Sequence, residues 1–280
     1  MEITSFYPTI TTTDFEGTKA VFDALGFEVA HTLPNLRNED PKFHNIVMKN
    51  AGGFRINIYS DSTIKPGQPC MSIWMNVRDF EGARTLFREH GFTEVTKVEE
   101  YSFLKCVTVM KPSGLGITIF YHIRKTNDRH SDKDPVSDSN KLLSDEKVSS
   151  AIEITSFHPI IETEQQDDIV KVFEELGFSV AHRFTHTHEG SCGGQSFNMK
   201  CENGFAVDIT NVPPEELDNG RDRIVIRMNV RDFEGTCELL RAHGLTQCTP
   251  LIDQEHVTSM TMQAPSGFRI AVIYHKRKQK

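Results

Sequence analysis

The chain has 280 residues and a formal net charge of −8, with 38% hydrophobic and 25% charged residues. This length suits about two domains of roughly 100–200 residues each, and the composition is that of an ordinary soluble protein with a sizeable core. The acidic balance, with no basic run before the terminal HKRKQK, argues against nucleic acid as the partner.

The first residues, MEITSFYPTI, lack the basic and apolar regions of a secretory signal, and no apolar stretch approaches the roughly 18–20 residues that cross a bilayer. The cysteines form no CxxC pair and no dense cluster, which favours free thiols in a reducing compartment. We therefore expect a cytoplasmic protein that has no membrane partner.

The first predicted elements set a pattern that recurs along the chain. TTDFEGTKAVFDALGF at 12–27 matches VRDFEGARTLFREHGF at 77–92. In the second copy the alternating SIWMNV predicts a strand, and Asp79 caps a helix that ends at Gly91. Three strand-like segments follow, TEVTKVEEY, LKCVTVM and GITIFYHI. Each copy is therefore predicted to be a βαβββ unit.

The segment 125–150 is rich in Ser, Asp, Asn and Lys and predicts a flexible linker. After it the first part repeats: EITSF returns at 153–157, LGFEVAH returns as LGFSVAH, and MNVRDFEG at 75–82 returns at 228–235. The chain therefore divides into a first half, 1–124, and a second half, 151–280. The predicted fold class is α+β, with four βαβββ units in two tandem domains.

A βαβββ unit that opens with strand, Asp, helix and GF, and closes with PSG before its last strand, resembles the vicinal oxygen chelate superfamily. That superfamily includes glyoxalase I, bleomycin and fosfomycin resistance proteins, methylmalonyl-CoA epimerase and extradiol dioxygenases. The resemblance covers both halves and implies that two units curl their mixed sheets into one cup per half. It leaves the function open, because the superfamily hosts several unrelated chemistries.

The resemblance also implies positions for a metal ion, on the first and last strands of each unit. In this sequence those positions hold Tyr7, Asn57, Ser72 and Thr118 in the first half, and His158, Asp208, Val225 and Ala271 in the second. Only His158 and Asp208 are good ligands for a divalent metal, so the set is incomplete. We expect no cofactor, with a divalent metal on the partial site of His158 and Asp208 as the alternative.

His158 and Asp208 allow two interpretations. They can act as a general base with its orienting carboxylate, or they can be a polar pair that lines a ligand pocket. No Ser-His-Asp or Cys-His triad is recognisable from motifs.

Strand alternation predicts further ligand-binding residues on the inner faces of the cups. Three arginines of the second half could bind a carboxylate or phosphate, namely Arg223, Arg227 and Arg269. Trp74, beside Tyr7, Tyr59 and Phe120, could stack on a flat ligand or simply fill the core.

The stretch AHRFTHTHEGSCGG at 181–194 contains His182, His186 and His188 followed by Cys192. It continues the second strand of the third unit into a loop, where the resemblance implies no metal ligand. We expect an exposed strand end, with a lid over the second cup as the alternative.

Three functions remain open from the sequence. The first is a metal-independent protein that sequesters or carries an aromatic or anionic small molecule. The second is a glyoxalase-like lyase or isomerase that abstracts a proton next to a carbonyl, using His158 and Asp208. The third leaves one half as a degenerate cup kept for stability or dimer contacts. Because the chain contains all four units, both a monomer and a homodimer are feasible.

Overall fold

The computed structural model describes residues 2–32, 44–61, 70–102, 104–123, 153–186 and 194–276. The predicted linker, 125–150, lies outside them, as do His188 and Cys192.

The first half contains two units in chain order. The first unit consists of β1 (Ile3–Thr12), α1 (Phe15–Ala24), β2 (Phe27–Thr32), β3 (Asn45–Asn50) and β4 (Arg55–Ser60). The second consists of β5 (Met71–Val77), α2 (Phe80–Glu89), β6 (Thr93–Glu94), β7 (Glu99–Glu100), β8 (Leu104–Met110) and β9 (Gly116–His122).

The second half repeats this order. Its first unit consists of β10 (Ile154–Thr163), α3 (Gln166–Glu175), β11 (Phe178–His186), β12 (Gly194–Cys201) and β13 (Ala206–Asn211). Its second consists of β14 (Arg223–Val230), α4 (Phe233–Ala242), β15 (Thr246–Gln247), β16 (Ile252–Asp253), β17 (Val257–Gln263) and β18 (Arg269–His275).

Each half forms one mixed sheet of nine strands, which confirms the predicted α+β fold of four βαβββ units. The first sheet runs β2-β3-β4-β1-β5-β9-β8-β6 with β7 beside β8, and the second runs β11-β12-β13-β10-β14-β18-β17-β15 with β16 beside β17. The two units of each half meet through their first strands, which pair antiparallel as β1 with β5 and β10 with β14. The central strands of each sheet therefore come from different units.

One predicted strand is divided in the structure. TEVTKVEEY forms two strands of two residues each, because the ladder with β8 is interrupted between them. The backbone N–H of Thr108 donates to the side-chain Oγ1 of Thr96, 2.9 Å away, where a continuous strand would use a backbone carbonyl. The second half is divided in the same way.

The repeated DFEG motif is explained by helix capping. The Asp79 side chain accepts a hydrogen bond from the Gly82 N–H, 2.9 Å away, and so satisfies a donor that the first turn leaves free. A Cβ at Gly82 would lie 2.1 Å from that carboxylate, so the close approach requires glycine. Asp14 with Gly17 and Asp232 with Gly235 repeat the arrangement. Helix α3, preceded by Gln165, has no side-chain cap.

One hydrophobic cluster joins the two halves. Phe157 of the second half lies among three rings of the first half, with centroids 5.1 Å from Phe27, 6.2 Å from Phe54 and 6.5 Å from Phe22. Because these rings are mutually buried, each half completes the core of the other.

Polar contacts also cross between the halves. The Asp222 backbone N–H donates to the Ser113 carbonyl, 2.7 Å away, and the Ser113 hydroxyl donates to the Asp222 carboxylate. The Asn203 side chain donates to the Ile3 carbonyl at 2.7 Å. These bonds orient the halves around the shared core.

In the described part of the chain no helix has the length and apolar character that crossing a membrane requires.

Candidate functional site

The central strands of the second sheet bring His158 and Arg227 together. They are direct partners in the antiparallel pairing of β10 with β14. Asp208, on β13, is the parallel partner of Ile160 on the other side of β10. Because alternate residues of a strand share a face, these three side chains meet on one face of the sheet.

Asp208 is the centre of this cluster. Its Oδ2 accepts from Arg227 Nη1 at 2.6 Å, and its Oδ1 accepts from Asn198 Nδ2 at 2.6 Å. His158 Nε2 lies 3.3 Å from the same Oδ1, close enough for charge attraction but poorly directed for a hydrogen bond. The Asp208 side chain is 3% exposed and that of His158 is 11% exposed, so water screens these contacts little.

The surroundings of Asp208 keep it ionised. Burial acts to raise its pKa, but the contact with His158, the charges of His158 and Arg227, and the Asn198 hydrogen bond together lower the pKa to about 2. Asp208 is therefore an orienting anion and not a proton carrier near neutral pH.

Two further contacts set the orientation of Arg227 and His158. Arg227 Nε donates to Asn229 Oδ1 at 3.1 Å, and the guanidinium carbon lies 5.8 Å from the centre of the Phe184 ring. Ser156 Oγ lies 3.1 Å from His158 Nδ1. In the neutral ring, the Asp208 anion beside Nε2 favours the tautomer that carries its proton on Nε2, and Nδ1 then accepts from the serine hydroxyl.

His158, Asn198 and Arg227 of this cluster form the floor of a cavity of about 790 Å³ to which both halves contribute, and the buried Asp208 is not among its lining residues. From the second half its lining includes Ser156, His158, Phe184, Arg227 and Asn229, and from the first half Tyr7, Phe54 and Arg55. The volume suits a small organic ligand.

The cavity is cationic. Arg55, Lys200 and Arg227 line it together with three histidines, and among the described residues of its lining none is Asp or Glu. Burial lowers the pKa of His275, and the positive charge of Arg227 lowers it further. Burial raises the pKa of Tyr7, and the charge of Arg55 opposes that rise. Such a lining favours an anion.

The corresponding cup of the first half is filled by its own side chains. Trp74, opposite Tyr7 in the β1–β5 pair, stacks on Phe120 with ring centroids 3.8 Å apart, and Tyr7 lies 5.8 Å from Trp74. Asn57, in the position of Asp208, donates to Asn45 Oδ1 and to the Ile46 carbonyl. Predicted ligand residues Tyr7, Asn57 and Trp74 therefore contact protein groups.

The remaining predicted residues of the first half lie away from the cavity lining. Thr118 Oγ1 is 3.1 Å from Thr108 Oγ1, Ser72 is paired with Thr9 in the β1–β5 ladder, and Tyr59 is paired with Thr11 and Asn45.

Of the three arginines predicted to share an inner face, the structure brings only Arg227 to the cavity. Arg223 forms an ion pair with Glu162. Arg269 donates to Gln263 Oε1 at 2.9 Å, at the start of β18.

The residues at the expected metal positions do not fit a divalent ion. Val225 and Ala271 provide no ligand, both Asp208 oxygens already accept hydrogen bonds, and the Arg227 cation lies 2.6 Å from one of them. In the described ranges no three His, Cys, Asp or Glu side chains are gathered in a metal-binding arrangement.

The histidine-rich stretch is only partly described. His182, on β11, is exposed and lines the cavity. The side chain of His186 and all of His188 and Cys192 lie outside the described residues, so the prediction of an exposed strand end or lid stays a prediction.

Sequence reasoning missed Ser156, Phe184 and Asn198. Ser156 was detectable, because it precedes His158 by two residues in an alternating strand and so shares its face. Phe184 and Asn198 come from neighbouring strands, β11 and β12, whose register no motif reveals.

No protein-family model and no curated protein matches the sequence. Solved structures resemble its fold over almost the whole chain. A mutant of 4-hydroxymandelate synthase from Streptomyces coelicolor has a TM-score of 0.58 at 10% identity and covers 98% of this chain and 93% of its own. A catechol 2,3-dioxygenase has a TM-score of 0.58 at 14% identity, with 99% and 90% covered.

The Mn(II)-bound glyoxalase from Novosphingobium aromaticivorans has a TM-score of 0.56 at 15% identity, with 97% and 82% covered. At such identities the likeness shows a shared fold alone.

Proposed function

Because the chain has the tandem fold of the vicinal oxygen chelate proteins, we propose that it binds a small anionic aromatic molecule, without a metal ion, in the cavity above Asp208 and Arg227. One observation carries the proposal: the Arg227 guanidinium, whose side chain is 14% exposed, lies on the floor of a cavity whose described lining has cations and no carboxylate.

Arg227 is oriented to receive an anion. Its Nη1 and Nε are held by Asp208 and Asn229, which leaves Nη2 as the donor without an acceptor among the described residues. A guanidinium fixed in this way binds a carboxylate with little loss of side-chain entropy.

Aromatic side chains at the cavity wall favour a ligand with a flat ring. Phe184 is 36% exposed, a large value for phenylalanine, and lies over the guanidinium at the cavity wall. A ring bound there would contact Phe184 and Tyr7 while its acid group reaches Arg227.

The test compares benzoate with benzamide, which has the same shape and no charge, by isothermal titration. We expect benzoate to bind more tightly than benzamide. Arg227→Ala should weaken the affinity for benzoate by at least tenfold, because a charged hydrogen bond contributes about 1.5–3 kcal/mol. Arg231→Ala, which changes an exposed arginine paired with Glu153, is the matched control. Equal affinity for benzoate and benzamide, or no loss in the Arg227 variant, contradicts the proposal.

Proton abstraction next to a carbonyl is a second candidate, favoured by the contact of His158 with Asp208. It ranks second because both ring nitrogens of His158 already face a protein group. Exchange of the α-hydrogen of phenylacetaldehyde in D₂O, lost in His158→Gln, would support it, whereas exchange at the rate of buffer alone would exclude it for this probe.

A further inference from the structure

Ser156 lies at the end of a chain of three polar groups on the cavity floor. Its Oγ is 3.1 Å from His158 Nδ1, and His158 Nε2 is 3.3 Å from Asp208 Oδ1. Ser156 and His158 are two residues apart on β10, so alternation holds both on one face. A hydroxyl within hydrogen-bond reach of an imidazole, whose other ring nitrogen faces a buried carboxylate, resembles the arrangement of an activated nucleophile.

A donor for the developing negative charge lies beside this serine. Asn229 is the direct partner of Ser156 across the β10–β14 pair and also lines the cavity. Arg227 Nε can only donate, so its contact at 3.1 Å identifies the accepting atom of Asn229 as Oδ1. Asn229 Nδ2 is then a donor on the residue directly across the strand pair from the serine, which is the kind of group that a site for an oxyanion requires.

The first half provides an internal comparison. Ser5 and Asn76 occupy the equivalent positions and pair in the same register. The neighbours of Ser5 are different, because Tyr7 replaces the histidine and Asn57 replaces the aspartate. Trp74 replaces Arg227 and does not hold the amide: in the described structure Asn76 Oδ1 is buried without a partner. The two serines therefore differ mainly in the groups that would activate them.

We propose that Ser156 is an acyl-accepting nucleophile for esters or thioesters that enter this cavity. That the natural acyl donor is anionic and aromatic rests on the proposed function. Ser156 Oγ attacks the carbonyl carbon while its proton passes to His158 Nδ1. Asn229 Nδ2 stabilises the oxyanion. The intermediate collapses as the bond to the alkoxide or thiolate breaks, and this leaving group takes the proton from His158. His158 then takes a proton from water, whose oxygen attacks the acyl carbon. The bond from that carbon to Ser156 Oγ breaks, the acid leaves, and His158 returns the proton to Ser156 Oγ.

The experiment uses the full chain and a fluorophosphonate probe, which forms a stable bond to activated serines and carries no carboxylate. Peptide mass spectrometry locates the label. We expect labelling at Ser156 and not at Ser5, loss of the label in Ser156→Ala, and unchanged labelling in the matched Ser5→Ala. His158→Gln should slow labelling by about 100-fold or more, since the base then is lost.

Turnover gives an independent reading. With 4-nitrophenyl acetate, wild-type protein should release a burst of about one nitrophenolate per chain, absent in Ser156→Ala. Labelling spread over surface serines, or equal at Ser5 and Ser156, overturns the proposal. The site of the label in unmodified protein decides this even where a variant fails to fold. If benzoate binds and Ser156 is not labelled, the proposed function holds and the nucleophile is ruled out. If Ser156 is labelled and benzoate does not bind, the nucleophile holds and the proposed function is ruled out.

Discussion

Asp208 and Arg227 meet at 2.6 Å on the floor of the second cup, where the first half has Asn57 and Trp74. The same backbone register therefore supports a charged cluster in one half and an aromatic stack in the other. Side-chain exchanges at these and neighbouring positions change what each cup can do: the second presents the Arg227 cation to a cavity, and the first is closed by its own rings.

Removal of one partner of the charged cluster should destabilise the fold strongly. Asp208→Ala leaves Arg227 buried without its anion, and we expect a loss of about 3–5 kcal/mol in the free energy of unfolding, measured with urea. Asp208→Ala combined with Arg227→Ala should cost less than the sum of the two single changes. Glu153→Ala, at an exposed pair with Arg231, is the control and should change stability by less than about 0.5 kcal/mol. Additive losses would show that the two residues are not coupled.

The low pKa of Asp208 predicts a particular acid sensitivity. The pKa of Asp208 is lower in the folded chain, about 2, than in the unfolded chain. Its carboxylate therefore stabilises the fold at a pH above the unfolded pKa, and this stabilisation is lost as the pH falls through the folded pKa. The difference in the free energy of unfolding between wild type and Asp208→Asn should therefore decrease by roughly 2 kcal/mol as the pH falls from about 4 towards 2. Urea midpoints of both proteins across this range test it. Parallel curves would mean that Asp208 titrates alike in both states.

The aromatic stack of the first cup should contribute to stability and not to ligand binding. Trp74→Ala removes the ring that lies between Phe120 and Tyr7, and we expect a loss of about 3 kcal/mol in urea unfolding. Trp74→Phe, which keeps a stacked ring, should lose less. Benzoate affinity should stay within twofold of wild type in both variants. A tenfold loss of affinity would place a ligand in the first cup.

Phe157 should couple the unfolding of the two halves. Its ring contacts Phe22, Phe27 and Phe54 of the first half, so wild type should unfold in one calorimetric transition. Phe157→Ala should cost about 3–4 kcal/mol and broaden or split that transition. Phe87→Ala, buried in the first half, is a control with a comparable loss of contacts and should lower the transition temperature without splitting it. Two transitions already in wild type would contradict the shared core.

Helix α3 offers a stabilising substitution. It lacks the side-chain cap that an aspartate provides at the other three helices. Gln165→Asp made together with Asp168→Gly, which restores the Asp and Gly spacing of the other three caps, should raise the free energy of unfolding by about 0.5 kcal/mol, and Asp79→Ala, which removes an existing cap, should lower it by about 1 kcal/mol. The gain is limited because the change of Asp168 removes a negative charge from the first turn. No change in either variant would show that the caps contribute nothing.

Local patterns were enough to predict the elements of this fold. Asp79 and Gly91 mark the ends of a helix, and alternation assigned Arg227 to the inner face of its strand, because both signals depend on neighbours in sequence. The contacts that make the site depend on register between distant strands: Asn198 meets Asp208 across β12 and β13, and Phe184 reaches Arg227 from β11. The placement of Phe157 among the rings of the other half has no local signal at all.

The filled first cup has a consequence for stoichiometry. Four units would permit two equivalent sites, and two equivalent sites on one chain could communicate. With Trp74 and Phe120 filling one of them, the cavity found among the described residues is made jointly by both halves. Binding to this cavity then follows a simple hyperbola with one ligand per chain. The first half contributes part of the cavity wall and does not provide a second copy of the site.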